Sequence, residues 1–167
     1  MLATEFPGLH YAIVGERYSA KAEALAFEQQ LRAAFPAAAD GPRVHFLGVR
    51  SQLERLLPEL TMLVHPARQE PLGRVLLETA ASGVPVVATR VGGTAEIFSP
   101  PDATALLVPP NDASALADSM RQILLQPAAA AARAQMARTR IETHFNTPLA
   151  ARSLINHYHA IMHATSQ

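Results

Sequence analysis

The sequence predicts an α/β chain with a mostly parallel, doubly wound sheet, helices on both of its faces and a helical C-terminal tail. Three observations carry this. Short apolar runs alternate with stretches of helical periodicity, the pattern of βαβ units. Glycine or proline closes several of the strand-like runs, as at Gly15, Gly48 and Pro109. Beyond Pro109 and Pro110 the strand signals cease and helix patterns alone remain.

Taken in order, residues 10–14 read as a short apolar strand. A helix follows over 20–35, with Ala24, Phe27, Leu31 and Ala34 at core spacing. A second strand spans 43–47. Ser51 and Glu54 have capping-box spacing and start a short helix that Pro58 stops. The third strand, 60–64, leads into a loop holding Pro66, Glu70 and Pro71. The helix of 73–82 ends at Gly83, a suitable left-handed stop, before a fourth strand at 84–89. Gly92 and Gly93 permit a tight turn into a brief helix at 94–98, and a last strand lies at 105–108. Three helices follow at 112–125, 128–144 and 148–163; the middle one is Ala-rich, which favours helix but fills little core volume. With no internal repeat and no long linker, residues 1–167 are expected to form one domain.

Composition excludes several classes of function. Fourteen basic residues balance fourteen acidic ones, so charge makes no case for nucleic acid or an anionic membrane as partner. Cysteine is absent, which removes disulfides, thiolate metal sites and a cysteine nucleophile. No apolar run approaches the ~20 residues of a membrane span, and no leader pattern opens the chain, so the expected compartment is the cytoplasm. His159 and His163 share a helix face at zinc-pair spacing, but no third ligand accompanies them, and no metal is expected. The GGTAE run at 92–96 is not a dinucleotide fingerprint, and neither a nucleophile elbow nor a phosphate-loop lysine is present.

The chemistry concentrates in residues 65–96. Glu70 and Glu78 lie eight positions apart on either side of a loop-to-helix junction. Pro71 ends the preceding segment and Gly73 frees the backbone, so amides near Gly73, Arg74, Val75 and Leu76 fall in the first helical turn, where backbone N–H groups attract an anion such as a diphosphate. Glu78 follows about 7 to 8 Å further along the axis, where a carboxylate suits the two hydroxyls of a ribose. Glu70 is left to meet sugar hydroxyls. A strand, a Pro/Gly turn and an amphipathic helix with one exposed glutamate is also ordinary α/β architecture, so the pair alone does not decide.

The wider pattern does more. IVGE at 13–16, VHFLG at 44–48, VHPARQEPLG at 64–73, LETAASGVPVVATRVGG at 77–93 and ALLVPPND at 105–112, with the helical tail, make the chain resemble the C-terminal, donor-binding half of the retaining GT-B glycosyltransferases of group one, family four. The resemblance implies a Rossmann-like domain that binds a UDP- or GDP-linked sugar. By it, Glu70 contacts the transferred sugar in the catalytic centre, Glu78 the ribose, the backbone at Gly73, Arg74, Val75 and Leu76 the diphosphate, and Gly48 and Val49 the base. It further implies transfer with retention to a sugar or lipid-linked acceptor, with no cofactor and no metal; the sequence has no DxD.

The chain departs from that family at its start. The Gly-Arg strand and following Lys usual in this half are not seen, Lys21 does not replace them, and the N-terminal acceptor half is missing, so the isolated chain is expected to be inactive. Ala95, Ala103 and Ala105 stand where Pro, Gly and Gly are usual. A catalytically silent binding domain completed by a second chain is the alternative. Arg68 and Arg74 read equally as phosphate partners or as solvated surface or ion-pair partners of a nearby carboxylate, Glu96 as a helix-start acid, and His65 as a core or loop-anchoring histidine rather than a catalytic one. Leu154, Tyr158 and Ile161 on the last helix form an apolar stripe through which the chain is expected to self-associate.

Overall fold

Among the described residues all strand pairing is parallel, in one set of two strands and one of three. The chain divides with them into a first unit, Met1–Leu53, and a second, Glu54–Gln167. The computed structural model describes residues 2–35 and 43–164.

The first unit opens with a short helix α1, Leu2–Glu5, which no sequence pattern announces, followed by β1, Tyr11–Val14, α2, Ala22–Ala33, and β2, Val44–Gly48. Tyr11 pairs with Val44 and Ile13 with Phe46, and an irregularity after Ile13 brings Val14 opposite Gly48. Burial pushes the Tyr11 phenol above its ordinary range. The predicted helix exists, but its core spacing is wrong by one position: Phe27 is 65% exposed and α2 buries no residue. The half-buried positions are Ala24, Glu28 and Leu31. Electrostatics account for this rotation. Glu28 accepts from Arg32 at 3.0 Å and from Arg17 at 3.0 Å, and the Arg32 guanidinium lies 4.4 Å from the centre of the Phe46 ring. Arg32 first, then Arg17, hold the exposed Glu28 carboxyl below its ordinary range. A two-stranded sheet has little apolar face to offer a helix, and it is met here by a cation over a ring.

The helix α3, Leu53–Leu56, begins on the last residue of the first unit, and the second unit continues with β3, Leu63–His65, then α4, Arg74–Ala81, β4, Val86–Thr89, α5, Thr94–Ile97, and β5, Leu106–Val108, followed by α6, Ala113–Leu125, α7, Pro127–His144, and α8, Thr147–Ala164. Most boundaries shift by one to three residues from those the sequence predicts, and around α3 the shift has a local cause. Ser51 lies two residues ahead of Leu53, outside the N-cap position, so the predicted capping box with Glu54 does not form. Pro58 does not stop the helix but sits inside a 3-10 turn, Leu57–Glu59, near whose start a missing N–H is harmless. That turn uses the Leu60 N–H on the Leu57 carbonyl at 3.0 Å, which delays the third strand to Leu63.

β4 lies between β3 and β5, and all four of its residues are buried. On one face Val86, Ala88 and Leu107 pack with Leu76 and Ala80 of α4, Ile97 and Phe98 at α5, and Ala137 and Ile141 of α7. By strand alternation Val87, Leu106 and Val108 belong to the other face, against which α6 packs with buried Met120 and Ile123. Helices thus cover both faces of this sheet. The alanines of α7 have a positive role. Ala130, Ala134, Ala137 and Ile141 are its buried stripe, and small side chains let α7 approach α4.

The helix ends are hydrogen-bonded with care. Gly83, at φ 71°, closes α4: its N–H donates to the Ala80 carbonyl at 3.0 Å and the Val84 N–H to that of Thr79 at 3.3 Å, a Schellman pair. Asp112 caps α6 by accepting the Ala115 N–H at 2.8 Å. Arg140 of α7 donates at 2.8 Å to the carbonyls of Glu96 and Ile97, which a helix as short as α5 cannot satisfy internally. Among the described residues, no helix is long and apolar enough to cross a membrane.

Candidate functional site

The loop between β3 and α4 carries Glu70, and four contacts hold it. The Thr89 hydroxyl, at the end of β4 and 4% exposed, donates to the Ala67 carbonyl at 2.5 Å and reaches the His65 carbonyl at 3.4 Å. Gly93 donates its N–H to the Glu70 carbonyl at 3.0 Å. The glycine pair then lies backbone against backbone on the loop: a Cβ at Gly92 would overlap the Glu70 carbonyl oxygen, and one at Gly93 would stand 2.5 Å from that of Pro71. The fourth contact is on the side chain. His65 Nε2 meets Glu70 Oε2 at 3.0 Å, with the two side chains 21% and 20% exposed. The loop-anchoring reading of His65 matches this geometry.

Glu70 and Gly92 line a shallow, open cleft of about 470 Å³ together with Arg68, Gln69, Pro71 and Val91. The cleft is therefore floored by the same glycine turn that fixes the loop.

Helix α4 begins at the far end of the loop. Gly73 is its N-cap at φ 84° and ψ 70°, a left-handed conformation natural to glycine. Its Cβ position lies 2.8 Å from the Leu76 side chain, so a larger residue would meet both the wrong dihedral and the core. Intrahelical bonding starts with the Leu76 and Leu77 amides, which donate to the Gly73 carbonyl at 3.0 and 3.2 Å. The amides that precede this first bond are those of Arg74 and Val75. The Leu76 N–H is engaged by the Gly73 carbonyl, and its side chain is fully buried in the core.

Glu78 lies one turn along α4 from Arg74, which donates to Glu78 Oε1 at 3.3 Å; their side chains are 42% and 88% exposed. Glu78 does not line the cleft that holds Glu70. The Arg74 side chain is accordingly an exposed ion-pair partner here. Such an exposed pair contributes about 0.5 kcal/mol, small enough for a ligand hydroxyl to displace.

In the first unit Gly48 ends β2 at φ 67° with open space where a Cβ would be, and Val49 is exposed. The Gly15 N–H takes one lone pair of the Gly48 carbonyl at 2.8 Å, leaving the second for another donor. His157 donates its Nδ1–H to the Ser153 carbonyl at 2.8 Å, a local helix contact. Among the described residues no three His, Cys, Asp or Glu side chains gather as a metal site. Of the residues that build the loop, the sequence reading missed Thr89 altogether. Its signal, a hydroxyl ending an otherwise apolar strand, was available.

The family model described as "Glycosyl transferases group 1" matches residues 2–126. Lipopolysaccharide glucosyltransferase WaaG of Escherichia coli strain K12 is 31% identical over 131 residues, covering 78% of this chain and 33% of the relative. Among solved structures, the sucrose-phosphate synthase of Thermosynechococcus elongatus matches 96% of the chain at TM-score 0.79 and 32% identity, over 40% of its own length. Anabaena Alr3699/HepE in complex with UDP-glucose matches 95% of the chain at TM-score 0.82 and 22% identity, over 43% of its length. The chain therefore spans less than half the length of each of these proteins, and it shares their Rossmann-like α/β fold.

Proposed function

The chain belongs to the group 1 glycosyl transferases, and from that premise we propose that it forms the nucleotide-sugar donor side of a retaining transfer site. The observation that carries this reading is the placement of Glu70, held by His65, Thr89, Gly92 and Gly93 ahead of a helix whose first amides, at Arg74 and Val75, precede any intrahelical bond. In this reading Glu70 takes hydroxyls of the transferred sugar, the Gly73–Arg74–Val75 backbone takes the diphosphate, and Glu78 leaves Arg74 for the ribose. For the first unit taken by itself, the proposal is that Gly48 and Val49 offer backbone polar groups to a base. The likeness to a protein solved with UDP-glucose supports a UDP-linked donor, with a GDP-linked one as the other choice to test.

Catalysis in such a site is electrostatic. A positively charged sugar forms beside the departing diphosphate, and helix amides aimed at the phosphate stabilise the charge it gains. The leaving phosphate is itself the base for the acceptor hydroxyl, so this wall of the cleft needs neither metal nor side-chain base. An acceptor, sugar or lipid-linked, comes from a second half with its own binding surface.

The two glutamates are separable by experiment. Glu78→Ala should weaken UDP and UDP-glucose equally, about tenfold, because the ribose is common to both, whereas Glu70→Ala should weaken only the sugar-bearing ligand, each loss being that of hydrogen bonds to a charged group. Titration calorimetry of the chain with UDP, UDP-glucose, GDP and GDP-mannose checks this. Equal effects of both substitutions on UDP, or transfer by the chain alone, would contradict the assignment.

Self-association through α8 completes the reading. Leu154, Ile155, Tyr158 and Ile161 are each more than half exposed along this helix, and an apolar stripe of that kind favours association. Sedimentation velocity should show a concentration-dependent dimer that Leu154→Glu/Tyr158→Glu abolishes; a monomer at all concentrations rejects it.

A further inference from the structure

We infer that His65 is a positioning residue of the donor site, whose ring N–H fixes the Glu70 carboxylate so that one oxygen is held and the other is presented to the sugar. The inference rests on the donor-site reading and adds a residue to it. The contact is the 3.0 Å approach of Nε2 to Oε2 between side chains four-fifths buried. A carboxylate oxygen only accepts, so the hydrogen lies on Nε2. Both the neutral Nε2–H tautomer and the imidazolium supply it.

The backbone on each side is rigid, which is what makes the contact directional. His65 is the last residue of β3, in register with Ala88 of the central strand, and its carbonyl faces the Thr89 hydroxyl. The Glu70 carbonyl is held by the Gly93 N–H, and the Gly92 backbone lies close against it. With both main chains fixed, the only freedom left to Glu70 is in its side-chain torsions. A free glutamate loses rotamer entropy when a ligand immobilises it. The His65 bond has already ordered that side chain before the sugar arrives, which is the principle of preorganisation. The consequence is specific: His65 matters for the sugar and not for the nucleotide.

The test uses UDP and UDP-glucose, with GDP and GDP-mannose as the parallel pair, and the variants His65→Ala, His65→Gln and His65→Asn. A glutamine amide reaches the Nε2 position, whereas asparagine reaches only the Nδ1 position. His65→Ala and His65→Asn should weaken the nucleotide sugar about tenfold, the loss of a hydrogen bond to a charged group, with the plain nucleotide unchanged. His65→Gln should restore most of the sugar affinity. Ring 15N shifts should also show His65 protonated at Nε2, a readout independent of ligand. Equal losses for nucleotide and nucleotide sugar, no loss in any variant, or a ring protonated at Nδ1 alone would overturn the inference while leaving the donor site standing. Failure of the unaltered chain to bind any of the four ligands would overturn the donor-site reading and the inference together.

Discussion

Gly92→Ala should be the most damaging single-methyl change in the chain, destabilising the second unit by about 3 kcal/mol and abolishing donor binding. The first part is steric. The added Cβ would overlap the Glu70 carbonyl oxygen, a backbone atom that has no rotamer by which to withdraw, and overpacking of that kind costs about 1–3 kcal/mol. The second part is conformational, because Gly92 has φ 47° and an L-residue there costs about 1–2 kcal/mol. Two comparisons separate the parts. Gly93 has φ −68°, so Gly93→Ala pays the steric cost against Pro71 and Leu72 alone, about 2 kcal/mol. Gly83 has φ 71° and its nearest neighbour is the Arg138 Cδ at 4.0 Å, so Gly83→Ala pays the conformational cost alone, about 1 kcal/mol. Urea unfolding of the three variants should rank them in that order, and only the two loop glycines should lose nucleotide-sugar binding. A Gly92→Ala protein no less stable than Gly83→Ala, and still able to bind donor, would show that the glycine turn does not set the Glu70 loop.

Leu76→Ala should cost about 3 kcal/mol, the usual loss for a fully buried leucine whose site collapses only in part. Leu76 is inaccessible and packs with Ala80, Ile97, Phe98 and Ile141 in the cluster that joins α4, α5 and α7. It also abuts Gly73, the left-handed residue that starts α4. The cavity therefore opens beneath the helix turn that presents the Arg74 and Val75 amides. Donor affinity should fall at temperatures where the variant is still folded, whereas Val75→Ala, at a half-buried position, should cost about 1 kcal/mol and leave the turn in place. A loss below 1 kcal/mol for Leu76→Ala in urea unfolding would place the support of α4 elsewhere.

Most of the elements were legible because they depend on local chemistry. Gly83 marks the end of α4, and Asp112 the start of α6, since each acts on backbone groups within five residues of itself. The parallel pairing followed from strands alternating with helices, and the glutamate loop from its Pro-Leu-Gly core. Misreadings arose where a pattern had two local solutions. Over residues 24–34 the apolar spacing and the Arg17–Glu28–Arg32 network compete for the same helix face, and the network took it, leaving Phe27 outside. At Leu76 the structure adds what a reading along the chain does not give, that the amide of the first helical turn donates to the Gly73 carbonyl.

From its amino acids alone, this chain declared its alternation of strands and helices, the turns that punctuate them, the family it resembles and the two glutamates, Glu70 and Glu78, on which the donor-site proposal is built. Periodicity and turn chemistry act over a few residues, within reach of a reading along the chain. The folded structure alone decided what surrounds those acids: a glycine pair lying against the Glu70 backbone, a threonine from the next strand bonded to Ala67, a histidine on the carboxylate, and a cleft that takes in Glu70 and leaves Glu78 on the open helix face. The glycine and threonine contacts join segments about twenty residues apart through the register of β3 on β4, and such a register is settled by the shared core, where Val86 and Ala88 find Leu76 and Phe98.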